Sequence, residues 1–97
     1  EIDAISKLAF DNGKREGFMA VASRGGISSG VQVHLVNTAL RSLSFDAAKV
    51  DVLVQLTQNP TFSPAAKEAI FRQIDLLAFE GSKTTVLNAI QERAKTP

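Results

Sequence analysis

The 97-residue chain has no cysteine, no tryptophan and no tyrosine. Without cysteine there is no disulfide, no thiolate nucleophile and no thiolate metal ligand, and cysteine usage selects no redox compartment. Without Trp and Tyr, a binding surface must take its anchors from Phe, Leu, Met or Arg. The single histidine, His34, excludes a Cys–His pair and a multi-histidine metal site. A Ser-His-Asp set is formally available, but no nucleophile-elbow motif anchors one. Gly25-Gly26 precedes a helix, yet the GxGxxG and P-loop patterns are missing, so no phosphate cradle is expected. No run of 18 apolar residues is present, which predicts no membrane-spanning helix. Like charges do not cluster: eleven basic and ten acidic residues are interspersed, for a formal charge of +1. Nucleic acid requires a basic face, and none is written here.

What remains is an ordinary globular composition, 44% apolar and 22% charged, long enough for one domain with its own core. The chain begins at Glu1 without Met, a basic n-region or an apolar h-region. It reads as a processed or excised piece from which any signal peptide is gone.

One unit is written three times. It reads Leu8-Ala9-Phe10-Asp11-x-x-Lys14, then Leu43-Ser44-Phe45-Asp46-x-x-Lys49, then Leu77-Ala78-Phe79-Glu80-x-x-Lys83. A period of 34–35 residues is that of a two-helix repeat. Phe18, Leu53 and Leu87 follow eight after each Phe, and Val21, Leu56 and Ile90 follow eleven after. These spacings predict an amphipathic A helix in each unit, with the Phe in the core. Asp11 and Asp46 are expected to cap these helices, and Phe45 to staple onto Val50. Gly25-Gly26 and Asn59-Pro60 punctuate the first two A helices.

Ser28 and Ser63 then read as N-caps of two B helices, with Pro64 at the first helical position of the second. Val31, Leu35, Ala39, Leu40 and Leu43 form the expected face of the first. Ala66, Ile70, Phe71, Ile74 and Leu77 form that of the second, one residue having been lost between them. Ile2, Ile5 and Leu8 match Phe71, Ile74 and Leu77. The expected architecture is therefore all-α: antiparallel helix pairs in a short right-handed-solenoid-like or bundle array of five to six helices. Residues 1–9 are the tail of a preceding helix, 10–43 the first repeat, 44–77 the second and 78–97 a half repeat, together a single domain over 1–97. Gly13 and Gly17 weaken the first A helix by roughly 1 kcal/mol each, which points to close backbone packing or drift in a terminal unit.

Lys14, Lys49 and Lys83 lie near helix N-termini, where the dipole disfavours a cation. Each must pair with the capping Asp or with the neighbouring repeat, or else form a cationic ladder for an anionic partner. His34 shares an outer face with Asn37 and Arg41. These five residues, Lys14, Lys49, Lys83, His34 and Arg41, are the candidate binding set. The carboxylates read as surface ion pairs, as in Glu68/Arg72 and Asp46/Lys49. Leu76, Met19 and Val54 fall off the main stripes and are expected to pack on the next helix.

The units resemble a bacterial domain family of unknown function built on Phe-Asp-x-x-Lys helical repeats. The resemblance rests on Leu43-Ser44-Phe45-Asp46-Ala47-Ala48-Lys49-Val50, Phe62-Ser63-Pro64 and Leu77-Ala78-Phe79-Glu80-Gly81-Ser82-Lys83, and covers residues 8 to 95. The Gly-rich first unit and Thr84 depart from it. It implies a small helical domain, often in exported or envelope-associated proteins, and brings no catalytic residues. The tetratricopeptide repeat shares the period, but its Trp and Tyr signature is absent, so only the architecture is analogous. No cofactor is expected. The expected function is a non-catalytic module that binds a protein or its own parent chain, with homo-oligomers allowed by the open ends of a short array. The alternative is a small-ligand or anion binder using the lysines or a cleft between repeats.

Overall fold

A computed structural model describes residues 1–95; the last two residues of the expected 78–97 half repeat lie outside the described residues. The chain is all-helical, with α1 (Ile2–Ser6), α2 (Asp11–Ala22), α3 (Ser29–Ser42), α4 (Asp46–Thr57), α5 (Pro64–Arg72) and α6 (Glu80–Lys95). The expected order of alternating B and A helices is the order observed. α2, α4 and α6 pack side by side in one row, and α1, α3 and α5 in a second. The rows are joined where α2 meets α1 and α3, and where α3 meets α4.

Local chemistry sets the helix starts. The Ser28 hydroxyl accepts from the Val31 N–H at 3.2 Å, and the Ser63 hydroxyl from the Ala66 N–H at 3.1 Å, with Pro64 at the helix start. Each satisfies one of the free donors of a first turn. Gly26, at φ 72°, turns the chain between α2 and α3, in a region that disfavours a Cβ. The core between the rows contains Phe18, Val21, Leu35, Val36, Val52, Leu53, Leu56, Ile70, Leu77, Val86 and Ile90.

The residue lost from the second B helix has a structural counterpart. α3 runs unbroken over 14 residues, whereas its equivalent stops at Arg72 and continues as a 3-10 turn, Ile74–Leu76. A 3-10 turn rises about 2.0 Å per residue against about 1.5 Å in an α-helix, so three such residues recover roughly the length of one missing residue. Leu77 thus reaches the buried position that Leu43 holds one repeat earlier, at 1% and 3% exposure.

Several residues expected in the core lie outside it, Leu8 among them. Val31, Phe71 and Leu87 are exposed. Phe71 stands 35 after Val36 and Leu87 34 after Leu53, both of which are buried. α5 and α6 end their rows, so positions that neighbours cover earlier in the array face solvent here. Val86 and Ile90 are the buried residues of α6. Leu76 is likewise exposed, whereas Met19 packs against the core as expected.

The two glycines inside α2 differ in kind. A Cβ on Gly17 would meet the Ile5 side chain at 2.9 Å, while one on Gly13 would meet Leu8 Cδ1 at an ordinary 3.5 Å. Gly17 is the place where α1 seats on α2. Gly13→Ala should therefore stabilise the protein by up to about 1 kcal/mol through helix propensity alone. Gly17→Ala should lose that gain by displacing stiff, β-branched Ile5. Urea unfolding of the two variants checks this, and equal stabilisation by both would remove the close-packing explanation.

Candidate functional site

The repeated Asp-x-x-Lys acts across repeats. Asp11 accepts from the Ser44 N–H at 3.0 Å and the Phe45 N–H at 3.0 Å, and Asp46 from the Ala78 and Phe79 N–H groups at 2.9 and 3.0 Å. The expectation that each Asp caps its own helix is corrected. Phe10 and Phe45 occupy those N-cap positions with no side-chain cap, and each Asp binds the chain entering the next A helix. The role is a cap, delivered to the neighbour. Asp11 and Asp46 also sit in the first turn of their own helices, where the dipole favours a carboxylate.

The lysines complete the joint. Lys14 Nζ donates to the Ser42 carbonyl at 2.8 Å, and Lys49 Nζ to the Leu76 carbonyl at 3.0 Å. These are the carbonyls at the ends of the two B helices, which lack intrahelical partners and sit where the dipole favours a cation. The unfavourable location near an N-terminus is thus resolved by the four-carbon stem, which carries the charge to a neighbour's C-terminus. Asp46 and Lys49 accordingly bind opposite sides of one junction instead of forming the expected pair, whereas Glu68–Arg72 does form at 3.5 Å. Lys83, in the last unit, turns to Asp75 at 3.2 Å and Glu80 at 2.9 Å. All three candidate lysines are therefore engaged within the chain.

Phe10, Phe45 and Phe79 are 79%, 70% and 70% exposed. They were expected in the core and the structure places them outside; Phe45 is itself the N-cap and so does not hold the N′ position of the expected staple onto Val50. The reason is positional: an N-cap residue has extended backbone (φ −129° for Phe10, −117° for Phe45) and is not on the helical wheel. Helical spacing counted from it does not carry to its own side chain. The buried anchor of the second and third units is the Leu two residues earlier, Leu43 and Leu77. Because α2, α4 and α6 lie side by side, about 10 Å apart as packed helices do, the three rings form a row along one edge. Their immediate neighbours are small: Ala9, Asn12 and Gly13, then Ser44 and Ala47, then Ala78 and Gly81, all exposed.

At the opposite helix ends two buried amides hold the A-to-B loops: Gln32, not singled out in the sequence, and Asn59, read there only as helix punctuation. Gln32 Nε2 donates to the carbonyls of Ile27 and Thr61 at 3.0 and 2.7 Å, and its oxygen accepts from the Ser63 N–H at 2.9 Å. Asn59 Nδ2 donates to the carbonyls of Ala22 and Arg24 at 2.8 and 2.7 Å, while its oxygen accepts from Thr61. For Gln32 the signal in the sequence is a polar residue between Val31 and Val33. Arg15 also joins α2 to α4 through Asp51 at 2.8 Å.

His34 and Arg41 lie together on the outer face of α3 as expected. Both line an open groove of about 360 Å3 with Ser6, Asn37, Thr38 and Ser42. His34 Nε2 lies 2.7 Å from Asp3 Oδ1. The structure does not bring this pair together with the three lysines as one binding set, although Lys14 bonds the carbonyl of one lining residue, Ser42. Among the described residues no group of three or more His, Cys, Asp or Glu is placed to hold a metal, and no helix is long and apolar enough to cross a membrane.

Partial burial at the joint raises the carboxyls of Asp11 and Asp46, but the N–H donors they accept from and the nearby Lys14 and Lys49 outweigh it. Both end below the ordinary carboxylate value of 3.8. A depressed folded-state value means the stabilisation is present above that ordinary value and is lost as pH falls through the folded one. Stability should thus decline in acid below about pH 4. The decline should be shallower in the Asp11→Asn/Asp46→Asn double variant, as read from urea midpoints between pH 7 and pH 2.5. At pH 7, Asp46→Ala should cost about 1 kcal/mol by removing the capping acceptor of the Ala78 and Phe79 N–H groups. A cost under about 0.5 kcal/mol, the usual effect of a surface change, would remove the joint from the account of stability.

No family model, curated protein or solved structure matches the chain.

Proposed function

We propose that the chain is a non-catalytic helical-repeat module that binds another protein through the row formed by Phe10, Phe45 and Phe79. One observation carries this reading: a large apolar ring stands in solvent at the same place in three successive units, while the fold uses the neighbouring Leu, Asp and Lys. At 70–79% exposure the three rings present about 400 Å2 of apolar surface. That is at the scale of patches that mark interaction sites on soluble proteins. In a chain lacking Trp and Tyr, Phe is the residue available as a rigid anchor with few rotamers to immobilise. The small residues beside each ring leave it proud of the surface and allow a partner backbone to approach closely. The same reading places the chain among helical-repeat domains like the bacterial family it resembles.

The test is the triple variant Phe10→Ser/Phe45→Ser/Phe79→Ser. Each site is exposed, so each change should move stability by no more than about 0.5 kcal/mol. Partners captured from an extract by the immobilised wild-type chain, and identified by mass spectrometry, should be lost by the variant. Retention of the same partners at the same yield would place the interface elsewhere.

A further inference from the structure

We propose that the groove between α1 and α3 binds a small tetrahedral oxyanion, a free phosphate or a phosphate monoester, with Arg41 as its charged anchor. This site is separate from the Phe row and does not depend on it. Residues 34, 37, 38, 41 and 42 fall on one face of α3 by helical spacing, and Ser6 closes the groove from α1. Every lining side chain carries a hydrogen-bonding group, and several of those groups are unused.

Arg41 is the clearest. Arg15, Arg24 and Arg72 pair with Asp51, Glu1 and Glu68, and Arg93 donates to the Pro60 carbonyl at 2.9 Å. Among the described residues Arg41 is the one arginine with no partner. A guanidinium offers a planar fork of donors that matches two oxygens of a phosphate. Asn37 accepts from Gln73 Nε2 at 2.6 Å through its oxygen, which leaves its own N–H groups as donors. Ser42 Oγ is buried without a hydrogen-bond partner, a condition that costs about 1–3 kcal/mol unless something answers it. A turn of the Ser42 χ1 rotamer toward the groove would let a ligand oxygen do so.

The local charge favours an anion. The Lys14 ammonium sits on the Ser42 carbonyl at 2.8 Å, adding a cation beside the groove. Asp3 is the carboxylate that meets the lining, and it is turned to His34 Nε2. Apart from His34 the lining holds no aromatic ring on which a base could stack, so the oxyanion itself is the recognised group. Its several acceptor oxygens suit donors arriving from an arginine, an amide and two hydroxyl positions, which a planar carboxylate cannot meet together.

The experiment is a 15N-NMR titration of the chain with inorganic phosphate, with sodium chloride adjusted to constant ionic strength. Saturable shifts should appear at Ser6, Asn37, Thr38, Ser42 and the Arg41 Nε–H. Arg41→Gln, at an exposed position, should weaken binding at least tenfold, and Ser42→Ala severalfold. Lys67→Gln, which removes another cation without a partner in the fold, should leave it unchanged. A parallel titration with glycerol phosphate identifies the source: equal or tighter binding supports a monoester carried on a larger molecule, and binding of inorganic phosphate alone supports the free ion. Linear, unsaturable shifts, or saturation that Arg41→Gln does not weaken, would overturn the proposal and leave an adventitious ion only.

Discussion

The fold depends on a backbone junction that cannot satisfy itself. Where each B helix ends and the next A helix begins, the chain exposes orphan carbonyls and orphan N–H groups within a few residues. The preceding repeat supplies both complements from a single helical turn, because Asp and Lys three positions apart lie on one face. The carboxylate takes the N–H side and the ammonium takes the carbonyl side. Between them Leu43 or Leu77 is driven into the core. Apolar faces alone would let one helix pair slide or rotate on the next. Directional polar contacts at the junction make one arrangement preferred.

The other end of the array solves the same problem with neutral groups. Gln32 and Asn59 are buried at 1% and 3% exposure, where a charge would be costly and an amide can be both donor and acceptor. Gln32 reaches carbonyls of both A-to-B loops, and Asn59, within the second, reaches those at the end of α2 and in the first. The slab is thus laced along two edges, charged side chains at the solvent-facing junctions and buried amides beneath the loops, with the apolar core between. That division leaves the Phe rings with no structural task, which is why their repetition is informative.

Much of this architecture is legible in the residues. The 34–35 period, the Ser28 and Ser63 caps and the pairing of helices all follow from local chemistry or register. The site is less legible, for physical reasons. An Asp at a helix start carries the same local signature whether it caps its own helix or its neighbour's, and only the side-chain direction separates them. The bonds of Lys14 and Lys49 reach residues 28 and 27 positions away, beyond any local spacing rule. A Phe next to a cap looks like the first residue of an apolar stripe until the extended backbone turns it outward. Phe71 and Leu87 carry core spacing but stand at the end of their rows, where burial depends on what comes next and not on the residue itself.

The 3-10 turn at Ile74–Leu76 shows which quantity the unit holds constant. It is contour length along the helix axis, and residue number is free to vary by one. A deletion in an uninterrupted α-helix would rotate everything after it by about 100° and carry Leu77 and its flanking backbone away from Asp46 and Lys49. Overwinding one turn recovers the missing rise and about 60° of that rotation within three residues. The latter half of a B helix is therefore a tolerant segment for single-residue insertions and deletions, while the five residues spanning Leu to Asp-x are not.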